Sequence, residues 1–217
     1  MWLALLGGVV GLDTASWAQA MISRPIVAGP VAGLLLGDPE AGFWAGAVLE
    51  VLSLRQLPVG ASRYWDTGPA AVAATAVFVP TGGPLALLVA VGFGVMVGWL
   101  GSWSVHLTRH LNARLVATEG RVAVTPMWLT VRHLAAMAVD LLRAAIITFL
   151  AVWALPRTAV GMAGLPRLGD AVATLILLVS ASLMLGVDVR TMARDRQTWA
   201  AFGVGAVLTA ILVLWLR

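Results

Sequence analysis

Ile26–Leu54 reads IVAGPVAGLLLGDPEAGFWAGAVLEVLSL, and the class of fold turns on this stretch. Two short apolar runs, Ile26–Gly37 and Phe43–Leu54, flank the polar triplet Asp38-Pro39-Glu40. Pro30 interrupts the first run and Glu50 lies inside the second. A helix of a dozen residues reaches only about 18 Å, whereas the hydrocarbon core of a bilayer is about 30 Å thick. Runs this short read as re-entrant hairpins or half-helices, and such backbone is tolerated at membrane depth only when buried in protein or lining a wet cavity. Paired short segments broken by Gly and Pro are also the best sequence pointer to a transporter's binding site. The alternative is a set of tilted helices with ordinary loops. Asp38-Pro39-Glu40 itself predicts a turn followed by a helix start, with proline in the first helical turn.

The remainder of the 217-residue chain supports lipid as the main solvent. Hydrophobic residues make up 60% of it and charged residues only 11%, against about 25% in soluble domains. The mean hydropathy is +0.94. The absence of cysteine excludes disulfides, thiolate catalysis and cysteine-based metal centres. The net charge is +4, and all 14 basic residues are arginines, most of them in short loops between apolar runs. That is the pattern of the positive-inside rule, and with no soluble domain to carry a basic face it does not indicate nucleic-acid binding. His106 and His110 have helical i,i+4 spacing but no third ligand; they read as interfacial polar residues, and neither a metal nor a cofactor is expected. Met1–Leu12 lacks the basic start and cleavage site of a removable signal.

These features divide the chain into three parts. Residues 1–104 form an N-terminal membrane region of broken or re-entrant helices, in which only Leu85–Trp103 approaches spanning length. Residues 105–133 form an arginine-rich connector in which Val105–Val116 is a helix end or an interfacial helix. Residues 134–217 hold three expected spans, Leu134–Leu155, Ala171–Val187 and Trp199–Leu216. The arginine bias places the connector and the Asp188–Gln197 loop in the cytoplasm and the C-terminus outside. The expected fold is therefore all-α, a polytopic integral membrane protein. Gly94-Val95-Met96-Val97-Gly98 fits a helix–helix contact, and Trp99, Trp103, Trp128, Trp153, Trp199 and Trp215 fall near expected helix ends, as an aromatic belt would.

Ionisable residues inside apolar segments need a reason, since each costs at least about 2.5 kcal/mol at the bilayer centre. Glu50 has no other charge within four residues. It either accepts hydrogen bonds from a hydroxyl-rich solute or forms a structural pair with Arg24 or Arg63. The stretch Arg55–Gly68 reads RQLPVGASRYWDTG. Gln56, Ser62, Tyr64, Trp65 and Asp66 supply an amide, a hydroxyl, two aromatic faces and a carboxylate, the inventory a sugar site requires. An ordinary exterior loop with an interfacial Tyr-Trp pair is the alternative. Asp13 ends the first apolar run and is expected to cap a helix over Thr14–Met21. Asp140 and Arg143, at i,i+3, read as a structural pair.

Taken in order, Leu12-Asp13, Arg24-Pro25-Ile26, Leu35-Leu36-Gly37-Asp38-Pro39, Gly46-Ala47-Val48-Leu49-Glu50 and Leu57-Pro58-Val59-Gly60-Ala61, with Asp66 before a small-residue run, resemble enzyme IIC of the mannose/fructose/sorbose phosphotransferase systems (PTS). The resemblance is densest from Leu12 to Thr75 and only general beyond. It implies a sugar-translocating subunit of the bacterial inner membrane that is not itself an enzyme. It further implies a hetero-oligomer with a IID membrane subunit, served by cytoplasmic IIA and IIB proteins that carry the phosphoryl group. By position, Glu50 and Asp66 fall where that family keeps its intramembrane acid and its loop acid near the sugar, and Asp13 matches its early Leu-Asp. Here Trp65 precedes Asp66 where members often have proline, and Arg63-Tyr64 are bulky additions. Two other functions fit the residues: a non-transporting membrane scaffold, and an ion-coupled transporter of a small polar solute.

Overall fold

The computed structural model describes residues 1–14, 16–54, 56, 64–116, 125–162 and 168–192. The last expected span, Trp199–Leu216, lies outside them, as do Ser62, Arg55 and Arg63. The described residues are helical, with no strand among them: α1 (Trp2–Asp13), α2 (Pro25–Leu36), α3 (Pro39–Ser53), α4 (Thr67–Phe78), α5 (Pro84–Val116), α6 (Pro126–Met162) and α7 (Leu168–Met192).

Helices α1 and α4 have 12 residues each, as does α2, and α3 has 15. At 1.5 Å per residue these are about 18–23 Å long. Helices α5 and α6 are long and apolar enough to cross a membrane, over Pro84–Arg114 and Pro126–Ala154. Helix α5 continues past Trp103 to Val116, and α6 begins at Pro126. Residues 105–116 and 126–133 are thus extensions of these two helices. Helix α6 also runs on through Pro156 to Met162, into the segment expected to be a loop.

The Asp38-Pro39-Glu40 turn forms as its residues predict. Gly37 ends α2 in the left-handed region at φ 88°, with its N–H directed to the Gly33 and Leu34 carbonyls. That conformation suits glycine, which has no Cβ to clash. Asp38 then caps α3, its Oδ1 accepting the Ala41 N–H at 2.9 Å. The helix expected over Thr14–Met21 does not form. Ala18, Gln19 and Met21 have positive φ, and the Asp13 carboxylate accepts the N–H groups of Ala20 (2.7 Å) and Ser23 (3.0 Å). These donors bond to one side chain instead of to successive carbonyls, so the segment coils around Asp13.

Helix α4 is the centre of the bundle. Every residue from Gly68 to Phe78 is buried, with α1, α2, α3, α5 and α6 packed around it. Small residues permit this closeness. A Cβ on Gly29 would overlap the Gly42 carbonyl, and one on Gly46 would overlap the Pro25 carbonyl, so α2 and α3 touch backbone to backbone. On α5, Gly94 and Gly98 face Ala70 and Ala74 of α4, which makes the GxxxG segment a helix contact. By contrast, Gly92 faces open space. Gly46→Ala should therefore lower thermal stability in detergent by overpacking, at roughly 1–3 kcal/mol. Gly92→Ala should leave the melting temperature equal or higher, and melting of the two purified variants checks both.

Candidate functional site

Three polar segments meet α5 where α4 begins. Residues 64–66 lead into α4 without regular secondary structure, tied on one side by the Asp66 N–H to the Gly98 carbonyl of α5 (3.1 Å). On the other side the Trp65 N–H donates to Gln56 Oε1 at 2.7 Å. The 14–24 connection reaches the same place through Thr67 Oγ1, which donates to the Ser23 carbonyl at 3.3 Å.

Two cavities border this segment and share Gln56, Tyr64 and Trp65. The larger, about 200 Å³, adds Trp99, Ser102, Trp103 and His106 of α5. The smaller, about 40 Å³, adds Thr14, Ser23, Arg24, Pro25, Ser53 and Thr67. The larger wall is aromatic with a few polar ends, and the smaller is rich in hydroxyls. Gln56 uses its carbonyl oxygen on Trp65, so its NH₂ is the end that remains to donate. Tyr64 is buried, and Arg109 lies over its ring at 5.5 Å from the centroid. Burial, with neighbouring Asp66 adding to it, pushes the Tyr64 phenol above its ordinary range and keeps it a neutral hydroxyl.

Among the residues singled out from sequence, Gln56, Tyr64 and Trp65 come together on both cavity walls. The three acids do not line either cavity. Asp13 is enclosed and fully used by the 14–24 backbone. Glu50 pairs with Arg24, as the structural alternative held, and its Oε2 accepts the Ile26 N–H at 3.3 Å. A carboxylate is favoured there, at the unsatisfied N–H groups that open α2. Asp66 is completely buried and pairs with Arg143 of α6 at 2.6 Å. The local Asp140–Arg143 pair is present at 2.8 Å, but Arg143 also reaches the first region of the chain, which spacing alone did not suggest.

The cavity residues on α5 were missed as a site. Trp99, Ser102, Trp103 and His106 fall at i, i+3, i+4 and i+7, a single helical face. The tryptophans were read as belt residues and His106 as interfacial, and combining them by helical position would have exposed the stripe. His106 and His110 stack edge to face at 4.7 Å, with His110 Nδ1 2.8 Å from the His106 carbonyl.

Residues 1–216 match the family model described as the PTS system sorbose-specific IIC component. Over 75 residues the chain is 31% identical to the sorbose-specific EIIC component of Lacticaseibacillus casei, a match covering 35% of this chain and 25% of that one. Over 97 residues it is 32% identical to a candidate N-acetylgalactosamine permease IIC component 2 of Escherichia coli K12, covering 44% of this chain and 72% of that one. The matched part thus spans a quarter of the sorbose relative's length. In fold, the chain resembles a solved membrane protein over its whole length and 95% of that chain, with a TM-score of 0.75 and 14% identity. It also resembles a chain of the mannose transporter ManYZ solved with microcin E492, at a TM-score of 0.57 and 19% identity, over 96% of this chain and 86% of the other.

The Arg24–Glu50 pair predicts a measurable coupling. The costs of neutralising each partner alone should add up to more than the cost of neutralising both, by an interaction energy of about 0.5–3 kcal/mol, toward the lower end because Arg24 is one-third exposed. A double-mutant cycle with Arg24→Gln and Glu50→Gln, read by thermal unfolding, checks it.

Proposed function

The chain belongs to the family of sorbose-specific IIC components of the phosphotransferase system, and from that premise we propose that it carries a hexose or related sugar across the bacterial inner membrane for phosphorylation on the cytoplasmic side. A IID membrane subunit would complete the complex, and cytoplasmic IIA and IIB proteins would supply the phosphoryl group. The subunit itself has no chemistry to perform beyond binding, orienting and releasing the sugar.

The observation that carries this reading is the cavity pair around Gln56, Tyr64 and Trp65. Sugars present apolar C–H faces and hydroxyl edges together. An aromatic wall of Trp65, Trp99 and Trp103 suits the faces, and Gln56, Ser102 and His106 suit the edges. The hydroxyl-lined recess by Ser23, Ser53 and Thr67 would receive a ring substituent. The acids enter the same reading at one remove: Glu50, Asp66 and Asp13 shape the site by holding its walls, and Ser62 belongs to the same polar stretch.

The short helices α2 and α3 would enter and leave the membrane on one face as a re-entrant hairpin. The arginines of residues 105–133 would face the cytoplasm. Movement of one region against the other would expose the sugar to its phosphoryl donor. One observation favours a second reading, a scaffold that does not transport: Glu50 and Asp66 are each neutralised by an arginine and so need no solute to explain them.

Uptake separates the two. Cells given the gene together with its partner subunits should accumulate phosphorylated sugar from labelled sorbose, mannose or N-acetylgalactosamine, and cells lacking it should not. Removing one stacking face with Trp65→Ala or Trp103→Ala should raise KM about fivefold, equivalent to about 1 kcal/mol, at unchanged membrane abundance. Uptake that proceeds equally without this chain, or that ignores both tryptophans, would sink the reading.

A further inference from the structure

We infer that Arg143 is a positioning residue that reaches from α6 to hold both walls of the larger cavity in register; its bearing on transport rests on the sugar reading above, but its geometry does not. The side chain is 8% exposed and makes three side-chain hydrogen bonds among the described residues. Its Nε donates to Asp140 Oδ1 at 2.8 Å, and its Nη1 donates to Asp66 Oδ2 at 2.6 Å and to Ser104 Oγ at 3.0 Å. A planar guanidinium offers donors in fixed directions, which a lysine ammonium does not.

Each contact lands beside the cavity. Asp66 follows Trp65, and its Oδ1 has no hydrogen-bond partner among the described residues. Arg143 is therefore the tie that fixes this carboxylate. The fit is close, since a Cβ on Gly101 of α5 would overlap the Asp66 side chain. Ser104 belongs to the α5 turn between Trp103 and His106 and also donates to the Gly101 carbonyl at 2.6 Å. Asp140 in turn accepts from Ser16 Oγ, in the connection that carries Ser23 and Arg24 to the smaller cavity. One guanidinium thus joins the 64–66 segment, the α5 wall and the 14–24 connection to a spanning helix. Loss of its charge would leave two buried carboxylates facing each other with no cation between them, and breaking a buried pair on one side is strongly destabilising.

The chain has no cysteine, so Ser102→Cys places a single thiol on the cavity wall. The rate at which a small water-soluble methanethiosulfonate labels that thiol in native membranes reports the wall's geometry without needing to know the sugar. Adding Arg143→Gln should change this rate by about tenfold or more. Arg143→Lys, which keeps the charge but not the fork, should fall in between. Arg143→Gln with Asp66→Asn restores the cluster's original net charge and should return the rate to within about threefold.

A purely stabilising salt bridge would lower the melting temperature in Arg143→Gln while leaving the labelling rate alone, and that result would overturn the inference. So would a double variant no closer to the parent than the single one. Should Arg143→Gln fail to reach the membrane, the lysine variant decides: an altered rate supports positioning and an unaltered rate overturns it. A shift in labelling without any change in uptake of sorbose, mannose or N-acetylgalactosamine would support positioning and count against the sugar reading instead.

Discussion

A carboxylate buried in an apolar interior has to be answered by donors or by a cation, and this requirement organises the protein. Among the described residues four acids are enclosed: Asp13, Glu50, Asp66 and Asp140. Asp13 is answered by backbone N–H groups, Glu50 by Arg24 and the start of α2, and Asp66 and Asp140 by Arg143. Except for Asp140, whose cation lies on its own helix α6, these partners come from helix ends, short connections or facing helices. The short helices cannot be displaced far from one another without stranding a charge, and the cost of a stranded charge exceeds that of most packing changes.

Packing then makes the meeting possible. Helix α4 is built almost wholly of small residues and is enclosed on all sides, so the helices around it come close enough for side chains to bridge them. The glycines of α2 and α3 bring two backbones into contact, and the bend at Gly37 turns one short helix directly into the next. Helices that stop short leave polar backbone groups at depth. Here those groups are met by Glu50 at α2 and Asp38 at α3, and cavities survive where 64–66 is tied between Gln56 and α5.

Much of this was legible in the residues because it depends on local pattern. The short apolar runs, the Asp38 cap, the all-α character and the small-residue contact at Gly94 and Gly98 follow from spacing and from a few special residues. Gln56, Tyr64 and Trp65 were legible as a polar and aromatic cluster because they lie within ten positions of each other. What escaped depends on contacts across the fold. The Arg143–Asp66 pair joins residues 77 positions apart, and only its local half, with Asp140, has a helical spacing to betray it. Asp13 was read as a helix cap because caps are the commonest use of an aspartate after an apolar run. Its carboxylate instead gathers donors seven and ten residues on, a coil that no periodicity announces.

The separation of charge from cavity bears on how a carrier of neutral solutes can work. A carboxylate exposed in the cavity would be hydrated before the solute arrived, and binding would have to displace that water. Locked into pairs behind the wall, the acids leave amide, hydroxyl and aromatic groups, with His106 and the Arg24 guanidinium, to face the space. Such groups bind a hydroxyl-rich solute with shallow energy, which suits a site that must also release it. The stiffness needed for selectivity would then come from the ion pairs and the permissiveness needed for turnover from a lining without carboxylates. On this view the buried acids matter to transport through the shape they enforce, and a protein that kept its aromatic wall but lost Arg143 would hold the right groups at the wrong distances.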